Sequence, residues 1–179
     1  MMGTRGITVL GLAVLLGTST AAAQTPPASQ HGTVSQTINT TLVSIEYDRP
    51  VARGRLLFGD SAVVMYGALW TPGANRATVL EVSRDIRIAG RLVPAGKYSV
   101  WTVPGRDEWT LILNRRWDTH HAIYPGDEDD VIRVRLEPAA GSHMETLAFY
   151  FPVVEAYRAV LHMHWGTVIL AIPTDVDPA

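Results

Sequence analysis

One stretch of the chain, residues 44–78, gathers the unusual polar side chains that could do chemistry. It holds four arginines, two aspartates, two tyrosines, one tryptophan and one asparagine between turn-forming glycines and prolines. Within it, Tyr47, Asp48 and Arg49 are followed closely by Arg55. The planar fork of a guanidinium suits a carboxylate, a phosphate or sugar hydroxyls, and a neighbouring carboxylate can fix its orientation. The pattern indicates either a ligand-binding groove or arginines that hold a long loop by bonding its backbone carbonyls.

Trp70 and Asn75 flank a Pro-Gly turn later in the same stretch. An exposed indole beside an amide side chain would serve as a platform for a sugar ring, because it combines ring stacking with hydrogen bonds. The alternative is a buried tryptophan whose turn is closed by Asn75 in an Asx-type arrangement. The candidate ligand-binding residues are Tyr47, Asp48, Arg49, Arg55, Trp70 and Asn75.

Two histidines in the C-terminal part, His162 and His164, alternate with apolar residues and so share one face of a predicted strand. Two imidazoles at this spacing would supply half of a metal site. A carboxylate or one of His143, His120 and His121 would have to supply the third ligand. The alternative is a solvent-facing strand side that carries two polar rings. We expect no metal in this protein, and His162 with His164 form the alternative metal-ligand pair.

Several function classes find no support in the sequence. The acidic run at residues 127–130 lacks the spacing of an EF-hand calcium loop. No G-x-S-x-G elbow, H-E-x-x-H helix, Walker loop or dinucleotide fingerprint is present, and the absence of cysteine excludes thiol catalysis. The balance of 15 basic and 17 acidic residues does not favour nucleic acid as a partner. The sequence therefore implies no cofactor.

The N-terminus has the pattern of a secretory signal peptide over residues 1–23. Arg5 precedes an apolar run at residues 7–16, and small residues ending at Ala23 follow. The apolar run is well short of the roughly 20 residues that a membrane-spanning helix needs. We expect cleavage after Ala23, a flexible Pro/Ser/Gln-rich leader over 24–33, and a periplasmic or extracellular location without a membrane span.

The remainder, residues 34–176, reads as one all-β domain. Short β-favouring runs alternate with turn signals, and no stretch has a convincing helical period. Val43, Ile45 and Tyr47 are predicted to face the core, and Pro50 should end the second strand at or before Arg49. The strands between residues 78 and 114 are predicted to form a meander of hairpins. Gly166 is predicted to be a turn that separates the last two strands. The expected fold is a single-domain antiparallel β-sandwich or jelly roll.

Four segments carry a resemblance to a known family. They read EYDRPVARGRLLFG, YGALWTPGANRAT, IAGRLVPAGKYSVWTVPG and EWTLILN, and they occur in the family's order. The chain resembles, over roughly residues 34–172, the bacterial exported family called domain of unknown function 2911. The family pattern has arginine where this chain has Thr71. The resemblance implies an exported β-rich domain and carries over no reaction.

The leading hypothesis is a non-catalytic exported binding module. Its ligand would be small and polar, anionic or sugar-like, or its partner would be a protein of the cell envelope. The alternative is a hydrolase or metal-dependent enzyme of the cell envelope that uses carboxylates or the His162/His164 pair.

Overall fold

The computed structural model describes residues 28–178, so the predicted signal peptide and the leader up to residue 27 lie outside the described residues. The described chain is almost entirely β-structure. A single short 3-10 helix at Asp127–Asp129 is the one described helix, and no helix of the described chain is long and apolar enough to cross a membrane. The strands are β1 Gln30–Ile38, β2 Thr41–Arg49, β3 Phe58–Gly59, β4 Val64–Met65, β5 Val79–Val82, β6 Ile86–Ile88, β7 Arg91–Val93, β8 Gly96–Val103, β9 Trp109–Asn114, β10 Asp130–Leu136, β11 Pro138–Val154 and β12 Arg158–Val176.

Two antiparallel sheets make up the sandwich. One has six strands in the order β1-β2-β5-β8-β9-β10, and the other has four in the order β11-β12-β6-β7. The short strands β3 and β4 pair in parallel in the long loop between β2 and β5. The predicted fold class, an all-β antiparallel sandwich, is confirmed.

The core lies between the two sheets. Val43, Ile45 and Tyr47 are buried in it, as the alternation along β2 predicts. Trp109 starts the buried face of β9. The opposite face of the larger sheet carries a second, small cluster around Trp101, which the loop between β9 and β10 covers. Strands β8 and β9 are therefore buried on both faces, whereas β2 buries alternate residues as a half-buried strand does.

The first two strands differ little from their predicted limits. β1 begins at Gln30, inside the segment predicted as leader, because its first residues pair with the end of β2. Residues 30–33, predicted to belong to the leader, are therefore strand. β2 ends at Arg49, where the missing N–H of Pro50 stops the ladder.

The predicted meander between residues 78 and 114 is wrong. β5 joins the larger sheet between β2 and β8, whereas the β6-β7 hairpin joins the smaller sheet beside β12. Ile86 and Ile88 reach the core from the side opposite β5. A hairpin is a local feature that turn residues reveal, but the sheet that it joins depends on distant partners. The sequence pattern does not predict strand β7, because only three residues lie between the turn at residues 89–90 and Pro94.

The predicted turn at Gly166 is also wrong, because β12 is one strand of 19 residues. Trp165 and the alternate residues before it face the core, and after Gly166 the buried positions shift to Leu170 and Ile172. The register with β11 shifts on both sides of the Gly166 and Met144 pair. Odd-numbered residues are buried before Gly166 and even-numbered residues from Leu170 onward. This change in alternation makes one irregular strand resemble two in the sequence.

Replacing Gly166 with alanine is expected to destabilise the protein. Gly166 has a φ of 59°, and a Cβ there would lie 2.7 Å from Cδ1 of the buried Leu57. Gly54 has a φ of 68° with nothing within 4 Å of its Cβ position, so Gly54→Ala keeps the backbone cost and lacks the clash. We expect Gly166→Ala to lower the free energy of unfolding by about 1–3 kcal/mol more than Gly54→Ala. Urea unfolding of both variants measures this, and equal losses would contradict it.

Candidate functional site

The chain after β2 crosses to the edge of the smaller sheet. Pro50 accepts a hydrogen bond from the amide of Leu147 at 2.9 Å, and the amide of Ala52 donates to the Glu145 carbonyl at 2.7 Å. Val51 forms an isolated bridge with Thr146 between these two bonds. The start of the long loop is therefore held against β11 by backbone pairing.

Tyr47 and Arg49 reinforce that crossing from β2. The hydroxyl of Tyr47 accepts a hydrogen bond from the amide of Phe149 at 3.0 Å, and their rings meet edge-on with centroids 4.8 Å apart. Nε of Arg49 donates to the Leu147 carbonyl at 3.0 Å. The Arg49 stem lies over Gly32, where a Cβ would come within 2.8 Å of its Cδ. Both side chains join the two sheets.

Asp48 and Asn75 tie the Trp70 loop to the first two strands. Nδ2 of Asn75 donates to the Asp48 carboxylate at 3.1 Å, and Nδ1 of His31 lies 3.5 Å from its other oxygen. Asn75 thus bonds a residue on β2, and its own backbone sits in the left-handed region at φ 58°. Thr71, where the family pattern has arginine, is fully buried and donates to the Val100 carbonyl at 2.7 Å. The Trp70 loop is therefore fixed from both ends.

Arg55 folds back on its own loop. Its Nε donates to the Ala52 carbonyl at 3.0 Å and its Nη2 to the Val51 carbonyl at 2.7 Å. The side chain is exposed, and Nη1 has no partner among residues 28–178. Two carbonyls thus orient the guanidinium and leave one edge of its fork turned to solvent.

Trp70 belongs to a cluster of four aromatic rings. Its indole stacks on that of Trp165 with an interplanar angle of 15° and a centroid distance of 6.1 Å. Phe58 and Trp109 meet it edge-on at 5.7 and 6.3 Å. Its backbone pairs with Thr102, whose hydroxyl also donates to the Trp70 carbonyl. Trp70 is half-buried, so it is neither the free platform nor the fully buried ring of the two sequence readings.

A cleft of about 360 Å³ opens beside this cluster. Trp70 and Trp165 contribute aromatic surface, and Arg53, Arg55 and His121 are the titratable side chains among its described lining residues. No aspartate or glutamate from the described part of the chain lines it. Its size lies near the low end of the roughly 300–1,000 Å³ typical of small-molecule sites. The cleft thus combines an aromatic wall with basic side chains.

Of the candidate residues from the sequence, the structure brings Arg55 and Trp70 together at the cleft. The side chains of Tyr47, Asp48, Arg49 and Asn75 are not among its lining residues and form the contacts described above.

Sequence reasoning did not select His121 or Trp165 as part of this site. His121 reaches the cleft because its amide donates to the Asn75 carbonyl at 3.3 Å. Neither residue has a local signal, since both come to the cleft from strands and loops far along the chain.

The loop that carries His121 is anchored at Asp130. The Tyr124 hydroxyl donates to this carboxylate at 2.7 Å, and Arg133 and Asn114 donate to it at 2.6 and 2.8 Å. Burial, and then the bond to Asp130, raises the pKa of Tyr124 to about 12.

The ring of His121 lies 4.4 Å from that of His120. Burial is the main cause that lowers the pKa of His121, and the neighbouring His120 is the second. His121 is thus mainly neutral at pH 7.

His162 and His164 do lie on the same face of β12, but Tyr150 lies between them. The Tyr150 hydroxyl is 3.1 Å from Nδ1 of His164 and 3.4 Å from Nδ1 of His162. Nε2 of His164 donates to the Ser142 carbonyl at 2.9 Å, and the ring is buried rather than solvent-facing. Burial and the neighbouring His164 lower the pKa of His162. Within residues 28–178 no group of three His, Asp or Glu side chains could hold a metal ion.

A family model described as protein of unknown function (DUF2911) matches residues 29–174. No curated protein and no solved structure matches the chain.

Arg49→Ala is expected to lower the free energy of unfolding by about 1.5–3 kcal/mol, because it removes a charged donor and leaves the part-buried Leu147 carbonyl unpaired. Arg55→Ala is the matched variant and is expected to cost about 1 kcal/mol or less, since the Ala52 carbonyl keeps its bond from the residue 55 amide and water replaces the exposed bond to Val51. Urea unfolding of both proteins measures the difference. Equal losses would mean that the two arginines do not differ in role.

Proposed function

We propose a binding function for this chain, which belongs to the DUF2911 family of proteins of unknown function. It is an exported, non-catalytic β-sandwich that binds a small anionic, sugar-like ligand in the cleft beside Trp70. The predicted signal sequence at residues 1–23 supports a periplasmic or extracellular location. The cleft supports the ligand class.

The orientation of Arg55 carries the proposal. Two backbone carbonyls hold its fork in place before any ligand arrives, and the remaining N–H groups are turned to solvent. A preorganised fork loses little side-chain entropy when a carboxylate binds, so more of the interaction energy appears as affinity. Arg53 adds a second positive charge at the same cleft.

Trp70 supplies the apolar part of the site. Its ring cannot turn, because Trp165 packs against it as a stack and Phe58 meets its edge. A sugar ring presents one face of C–H groups, which packs on a fixed indole at low entropic cost. A carboxylated sugar fits both features of the cleft.

In this proposal the other predicted residues hold the loops that form the cleft and do not contact the ligand. Asp48 and Asn75 hold the Trp70 loop, while Tyr47 and Arg49 hold the loop of Arg55. Ligand contact is therefore assigned to Arg53, Arg55, Trp70 and His121.

Calorimetric titration with galacturonate, with neutral galactose as the matched sugar, tests the proposal. Arg55→Gln is expected to weaken galacturonate binding about ten-fold or more, because a charge-assisted bond is worth ~1.5–3 kcal/mol. Arg91→Gln, an exposed arginine on the edge strand β7 that does not line the cleft, is the control and should bind as the native protein does. Equal affinity for the two sugars, or no binding of galacturonate, would contradict the proposal and favour a protein partner.

Affinity for galacturonate is expected to rise as the pH falls from 7 to 5. A bound carboxylate favours protonated His121, whose pKa lies below its usual 6.5 in the free protein, so binding takes up a proton and tightens in acid. We expect a gain of about five-fold, from the ~1 kcal/mol difference between neutral and charge-assisted hydrogen bonds. His121→Gln should flatten the profile. An unchanged profile in that variant would assign the pH dependence to other groups.

A further inference from the structure

A second depression of about 330 Å³ shares the Arg55 side chain with the cleft beside Trp70. The lining residues that matter here are Arg55, Leu56, Phe58, Tyr66, His143 and Thr167. It is nearly as large as the cleft beside Trp70 and also has the size of a small-molecule site. Of the candidate ligand-binding residues from the sequence, only Arg55 is among its described lining residues; His143, an alternative third metal ligand, lines it as well.

Three features join the two depressions into one surface. Arg55 lines both of them. Leu56 lines the second depression and Val63 the first, and the amide of Val63 donates to the Leu56 carbonyl at 3.0 Å. Trp165 and Gly166 are consecutive in β12, and they line the first and the second depression respectively. The shared residue, the paired loop segments and the shared strand indicate a continuous groove, which we call the double groove.

The described lining of the double groove contains arginine and histidine but no aspartate or glutamate, although the whole chain has a formal net charge of −2. The titratable lining residues of the second depression, as far as the structure describes them, are Arg55, Tyr66 and His143. The nearby Glu145 carboxylate is already occupied, because the Arg53 amide donates to it at 2.7 Å and Nε2 of His143 lies 2.8 Å from it. An extended anion would therefore meet no free carboxylate along the described walls.

Aromatic and apolar surface continues along the same path. Phe58 in the second depression meets Trp70 of the first edge-on, with centroids 5.7 Å apart. Leu56 and Val63 are 68% and 46% exposed, so the surface where the two depressions meet is apolar and uncovered. Alternating charge and apolar faces match a chain of sugar rings whose acid groups recur at intervals, since each ring offers a C–H face and a carboxylate.

We propose that the double groove binds a linear oligosaccharide of uronic acids across two subsites, with one carboxylate at Arg55 where the subsites meet. This deepens the proposed function and rests on it, because the first subsite is the cleft of Trp70. The second subsite extends past Arg55 toward Thr167.

Oligomer length and a groove variant test the second subsite. Native protein is titrated with galacturonate, with its linear tetramer and with a neutral tetrasaccharide. The acidic tetramer is expected to bind at least about ten-fold tighter than the monomer, since the second set of contacts is made without a second loss of translational freedom. Thr167 is exposed, so Thr167→Glu adds a negative charge to the second subsite and Thr167→Gln is its uncharged match. Urea midpoints of the two variants confirm equal folding.

We expect Thr167→Glu to weaken tetramer binding about ten-fold relative to Thr167→Gln, because like charges repel across the groove. Monomer affinity should be the same in both variants. Tripolyphosphate supplies charge without rings and should bind more weakly than the tetramer.

The outcomes separate the two proposals. The second subsite is overturned if the monomer binds through Arg55 but the tetramer binds no tighter than the monomer. It is also overturned if Thr167→Glu leaves tetramer affinity unchanged. In both cases the proposed binding site in the cleft beside Trp70 stands. Absence of binding by both acidic sugars overturns the cleft and the double groove together. Tripolyphosphate that binds as tightly as the tetramer overturns the carbohydrate class.

Discussion

The candidate site depends on the docking of the chain after β2 onto β11. The backbone of residues 50–52 would leave polar groups without partners if it ran free, and β11 supplies them through the carbonyl of Glu145 and the amide of Leu147. Arg49 and Tyr47 make the same crossing with side chains. Because the loop is fixed at its start, Arg55 can find carbonyls only a few residues away. The position of the cleft therefore follows from a backbone requirement on β11.

The second constraint is the packing of the aromatic cluster. Trp109 and Trp165 are buried in the core, whereas Trp70 and Phe58 are half-buried at its border. Rings in contact on several sides cannot reorient without opening a void, which dense interiors resist. The same contacts that close this end of the sandwich thus give a rigid aromatic wall to the cleft. The packing that stabilises this end of the sandwich therefore also fixes the shape of the cleft wall.

The sequence was informative where the signal is local. Alternation along β2 located its core face, Pro50 located its end, and the density of polar residues located the loop of Arg55 and Trp70. Features that depend on pairing between distant parts of the chain could not be predicted from the sequence. The β6-β7 hairpin joined the opposite sheet, and His121 reached the cleft through the carbonyl of Asn75. Local sequence patterns indicate where strands and turns lie. Residues far along the chain determine the order of strands in a sheet and which side chains meet at the cleft.

Arg49 and Arg55 show why residue type alone could not separate the two readings of the central stretch. Both donate to backbone carbonyls, so both hold the loop in the structural sense. Arg49 does so half-buried between two sheets, with its stem packed over Gly32. Arg55 does so at the surface, with part of its fork turned to solvent. One arginine side chain can therefore hold a loop and still present N–H groups to solvent. The degree of burial decides which of the two arginines does so.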